Sequence, residues 1–64
     1  ESKIALAAFA ALSQEVRLDV LRRLVRAGPA GVPAGALAEA AGITAPTMSF
    51  HLKALHGAGL VRSR

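Results

Sequence analysis

The sequence predicts a small, mainly α-helical domain, and three observations carry that expectation. Apolar residues recur at helical spacing through most of the chain. Glycine and proline gather between those stretches, as in "AGPAGVPAG" and "AAGITAP". At 64 residues there is room for one domain only.

The first helix is expected over about residues 3–11. Ile4, Ala7, Ala8, Phe9 and Leu12 give it a broad apolar side, and its alanines permit close approach of another helix. Ser13 fits an N-cap, with Glu15 in the first turn of a second helix over 14–27. There Val16, Val20, Leu21, Leu24 and Val25 follow the helical period. Asp19 has helical spacing to Arg22 and Arg23. Gly28 and Pro29 end this helix. A loop, with a short extended piece at Val32, leads to a third helix over 34–41 that Gly42 closes. The fourth helix spans 45–58, with Thr44 as N-cap and Pro46 in the first turn, where the missing N–H is harmless. Gly59 stops it, and a strand begins near residue 60 in "LVRSR".

A domain this small buries only roughly 60% of the surface its unfolded chain exposes. The chain has no cysteine, which removes disulfides and thiolate metal sites as internal support and fits the cytosol. A partner subunit is the expected support. Eight Lys and Arg against four Asp and Glu favour a polyanion, nucleic acid before an anionic membrane. The plainer reading is that extra arginines keep an alanine-rich domain soluble. Two Phe with no Trp or Tyr argue against binding single strands by base stacking. No apolar run approaches the ~20 residues that span a bilayer, and "SKIALAAFAAL" lacks the basic lead-in of a signal peptide.

A short helix, a tight turn at Gly42 and a longer capped helix form the helix-turn-helix pattern, with Ile43 anchoring the turn. With Met48 at the centre of the buried stripe of the fourth helix, Leu52 and Leu55 lie within ~40° of it at ~100° per residue. Pro46, Phe50 and Lys53 then stand opposite, flanked by Thr47 and Ala54. Such an outward face, short and nearly uncharged, suits a major groove, where hydroxyls bond base edges and apolar groups meet thymine methyls. The expected DNA contacts are therefore Thr44, Pro46, Thr47, Ser49, Phe50 and Lys53, with Arg62 and Arg64 as phosphate contacts. Phe50 also admits a reading in which it packs in the core. Arg22, Arg23 and Arg26 read equally as ordinary helix charges or as phosphate clamps.

His51 and His56 are five residues apart, whereas paired helical metal ligands want three or four, and no acid or thiol completes a set. His51 reads instead as a boundary residue bonded to backbone. No catalytic constellation, metal site or cofactor loop is visible.

"LSQEVRLDVLRRL" followed by "LAEAAGITAPTMSFHLKALHGAGLVRSR" resembles the ArsR/SmtB family of bacterial winged helix-turn-helix repressors from Leu12 onward. Arg17 in "VRLDVL", the "SFHLKAL" segment and "GLV" carry the likeness most. The resemblance implies a mainly α, winged helix-turn-helix fold over 1–64, with four helices and the β-hairpin wing cut short. It implies a homodimeric repressor on double-stranded DNA with an inverted repeat, released by an inducer such as arsenite. The rest of the wing and a C-terminal dimerisation helix are then missing. Where metal-sensing relatives carry cysteines in the third helix this chain has Pro33 and Gly35, so the likeness leans toward the arsenical-responsive branch, whose thiols lie elsewhere. Phe50 stands where a polar residue is commonest. Two other functions fit less of the chain: an accessory module of a larger enzyme such as a methyltransferase, or a helical protein- or membrane-interaction module using the first helix and Phe50.

Overall fold

The computed structural model describes residues 2–62. They form α1 over Ser2–Ala27, a 3-10 turn over Gly28–Ala30, α2 over Ala34–Ala41 and α3 over Ala45–Gly57. The chain is thus mainly helical, but the two helices expected over 3–11 and 14–27 are one. Ser13 is buried within α1 instead of capping a new helix. The reason is local: neither Gly nor Pro occurs between Ser2 and Ala27. A serine inside a helix costs only about half a kcal/mol relative to alanine. A break would strand unpaired backbone groups at two new termini.

At ~1.5 Å per residue the 26 residues of α1 span ~39 Å, most of the 42 Å long axis of the molecule. Its second half packs into the core through buried Val20 and the half-buried Val16, Leu21 and Leu24. Residues 2–12 are exposed throughout, with Ile4, Leu6, Phe9 and Leu12 each more than half uncovered. Charges on α1 also separate: Arg23 Nε donates to Asp19 Oδ2 at 2.8 Å, while Arg22 and Arg26 are exposed.

The core is small. Val20 of α1, Leu37 and Ala38 of α2, and Met48 and Leu55 of α3 form its buried centre. Val32, Ala41, Ile43, Leu52 and Val61 pack around it, half-buried. Ile43 anchors the turn between α2 and α3. Two left-handed glycines set the direction of the chain at the ends of these helices. At Gly42 (φ +70°), its N–H bonds the Glu39 carbonyl and the Ile43 N–H bonds the Ala38 carbonyl. At Gly59 (φ +76°), the same pair of bonds runs to the carbonyls of His56 and Leu55, from Gly59 and Leu60. Both are Schellman closures, which satisfy the last carbonyls and turn the chain sharply. A side chain at either glycine would be strained by the positive φ.

The wing strand expected from residue 60 is not formed at Leu60, Val61 or Arg62. A strand needs a ladder partner for its backbone groups, and none of the described residues supplies one. Val61 instead packs half-buried against the core. Residues 63 and 64, the rest of that expected strand, lie outside the described residues.

Since Met48 is fully buried where the three helices converge, Met48→Ala should cost about 2–5 kcal/mol of stability, the usual range for such truncations. Urea unfolding followed by circular dichroism measures it. A loss below half a kcal/mol would mean that the core is centred elsewhere.

Candidate nucleic-acid interface

The amino-terminal end of α3 is held by its own hydroxyls. Thr44 is extended (φ −72°, ψ 157°), and its Oγ1 accepts from the Thr47 N–H at 3.3 Å. The two threonine hydroxyls are hydrogen-bonded to each other at 2.8 Å. Pro46 lies in the first turn. This cap fixes where the helix begins, and it also occupies part of the hydrogen-bonding capacity of Thr44 and Thr47. Ser49 makes no side-chain hydrogen bond among the described residues, so its hydroxyl is the freer of the three.

Of the expected contact residues, Thr44, Pro46, Thr47, Ser49, Phe50 and Lys53 are exposed, as is Arg62 beyond the helix, whereas Ala54, expected beside the outward face, is half-buried. Arg64 lies outside the described residues. The fold draws three of these together. Ser49, Lys53 and Arg62 line one open cleft of about 680 Å³, together with Leu24, Val32 and Leu37. Arg62, remote in helical register, thereby joins Lys53 beside the hydroxyl face.

Phe50 goes elsewhere. Its ring is half-exposed, with its centroid 6.3 Å from that of Phe9 and 5.6 Å from that of His51. The Arg17 guanidinium lies 5.9 Å from the ring centroid, within cation–π range. Phe50 is neither a core residue nor a bare outward one: it leans against α1.

His51 is buried, and its partner is a side chain from 34 residues earlier, not backbone. Arg17 Nε donates to His51 Nδ1 at 3.3 Å. An accepting Nδ1 means a neutral ring with its proton on Nε2. Burial first, and the Arg17 charge second, hold the His51 pKa below the ordinary 6.5. Arg17 is the contributor to this region that periodicity did not single out, and Phe9 was read only as part of the apolar side of the first helix. A long-range pair leaves no trace in local spacing, and the only sign was an arginine placed among the apolar residues of "VRLDVL".

Because the folded-state pKa of His51 lies below its unfolded value, the unfolded chain binds the extra proton more readily. The His51 contribution to stability is therefore full above pH 6.5 and is lost as pH falls through the lower folded pKa. Melting temperature should decline on acidification below pH 6.5, before the carboxylates titrate. His51→Gln, which can accept from Arg17 but does not titrate, should flatten that part of the profile. An unchanged profile would remove His51 as its source.

Among the described residues, no group of three His, Asp or Glu side chains is placed to hold a metal ion. No described helix is long and apolar enough to cross a membrane. Comparison with curated proteins and with solved structures returns no match. Comparison with protein families matches residues 12–64 to one described as "Helix-turn-helix domain", which begins where the resemblance in the sequence begins and supports a DNA-binding role. With α2, the Gly42 turn and the capped α3 as the paired helices, the chain belongs to this helix-turn-helix domain family.

Proposed function

We propose that this chain is the DNA-binding part of a transcriptional repressor of the ArsR type, bound to an inverted-repeat operator as a dimer. One observation carries the reading: the outward face at the start of α3 is uncovered, hydroxyl-bearing and free of carboxylates, with Lys53 and Arg62 beside it. Side chains of this kind can approach base edges without charge repulsion, and the two cations beside them can bind phosphates. Ser49 is the principal base-edge hydroxyl. Thr47 and Pro46 provide apolar and polar contact near the helix start, and Lys53 and Arg62 bind phosphates. Thr44 serves mainly as the cap.

The dimer is supported by the exposed amino-terminal half of α1. Ile4, Leu6, Phe9 and Leu12 would remain in water unless another helix covers them. The residues present do not fit a metalloid inducer: the chain has no cysteine. Soft thiolate ligation of arsenite would need residues from outside it. Release by an inducer therefore rests on the resemblance alone. The same α1 surface favours a protein-interaction module as the second reading, and the DNA test separates the two.

In that test, the full protein is titrated against duplexes selected by it from a random pool, at two salt concentrations. Affinity should fall steeply with salt, with a slope of about −0.9 per phosphate neutralised, and scrambling one half of the enriched repeat should weaken it. Thr47→Ala with Ser49→Ala should remove discrimination while unfolding stays within about 1 kcal/mol of wild type. Binding indifferent to salt and sequence would overturn the repressor reading. Discrimination that survives the double substitution would displace the recognition face from these residues.

A further inference from the structure

We infer that Arg17 is a positioning residue for DNA recognition, setting the rotation of α3 about its own axis by gripping His51 and Phe50 together. This rests on the DNA-binding reading above. The observation behind it is that one guanidinium engages two adjacent residues of α3. Its Nε donates to His51 Nδ1 at 3.3 Å, and its carbon centre stands 5.9 Å from the Phe50 ring centroid. Phe50 and His51 differ by ~100° around the helix. A group attached to both resists rotation in either sense.

The core alone does not supply this restraint. Met48 and Leu55 hold α3 by apolar burial, which is non-directional and proportional to area. Three helices sharing five buried side chains can rock on one another with little change in buried surface. Side-chain ends lie ~5–6 Å from a helix axis, so a rotation of ~20° displaces an outward group by ~2 Å. Hydrogen bonds to base edges tolerate a few tenths of an ångström. Outward residues such as Ser49 therefore need an angular stop, and the Arg17 contacts lie on the side of α3 that does not carry Ser49, Lys53 and the cleft. Arg17 itself touches no base. It acts through the side of the helix turned to α1.

The experiment compares the full protein with Arg17→Met, His51→Leu, His51→Gln and the Arg17→Met/His51→Leu double variant. Affinity is measured for a duplex enriched by the wild-type protein from a random pool and for a poly(dI-dC) duplex. Arg17→Met and His51→Leu should each lose about tenfold on the enriched duplex. Their affinity for the repetitive duplex should stay within about twofold once the lost charge is matched by salt. His51→Gln restores an acceptor for Nε and should keep wild-type discrimination, and the double variant should be no worse than either single one. His51→Leu keeps the buried volume filled with an apolar group, so it carries the test should Arg17→Met fail to fold.

Wild-type discrimination in His51→Leu would overturn the inference, as would equal losses on both duplexes or failure of His51→Gln to differ from His51→Leu. If the wild-type protein enriches no sequence at all, the DNA-binding reading falls, and this inference with it. If it enriches a sequence that every variant still discriminates, only the positioning role falls.

Discussion

The burial of Met48 against Val20 and Leu37 is the constraint on which the rest of the molecule depends. These residues come from α3, α1 and α2, and with Ala38 and Leu55 they make up the whole fully buried apolar centre. The other large apolar side chains, Ile4, Leu6, Leu12 and Val25 among them, stay mostly exposed and add little to the packing between helices. The position of each helix therefore follows from a few side chains, and α3 is located by two of them. Everything on its outward side, from the Thr44 cap to Lys53, is placed indirectly by what α3 touches inside, Met48 and Leu55 in the core and His51 at Arg17.

Around that axis α3 divides its circumference among three tasks. The inner side is apolar and satisfies the core. One flank meets α1, where Phe50 and His51 face Arg17 and Phe9. The remaining side carries Ser49 and Lys53 along the cleft that Arg62 completes. Charge is distributed accordingly. Among the described residues, the cations near the outward face make no ion pair, whereas Arg23, away on α1, is held by Asp19 at 2.8 Å. That exposed pair contributes only a few tenths of a kcal/mol, but it shows that the excess positive charge is not spread evenly.

The continuity of α1 gives these parts a mechanical relation. One rigid helix carries an uncovered apolar segment at its start, the Arg17 contacts in its middle and Val20 in the core. Phe9, in the uncovered segment, already touches Phe50 of α3. Two helices hinged at Ser13 would have separated the apolar segment from the recognition face. A single helix joins them, so a load on its first half is felt at the flank of α3.

The α2–turn–α3 unit was legible from sequence because its signals are local. Gly42 and Gly59 satisfy backbone conformations that few other residues adopt, and Thr44 and Pro46 mark a helix start through bonds that span three residues. The outward order of Pro46, Thr47, Ser49 and Lys53 follows from helical period alone. The failure at Ser13 is local too: its type suits a cap, but no Gly or Pro breaks the chain between Ser2 and Ala27, and the serine is buried within the continuous helix. Nor does a wing strand declare itself in "LVR" without a partner to pair with. The tertiary structure alone decided that Phe50 leans on α1, that His51 takes its partner from Arg17, and that Arg62 and Lys53 line the same cleft. These contacts join residues far apart in the chain, and periodicity along a helix has no information about distance across a fold.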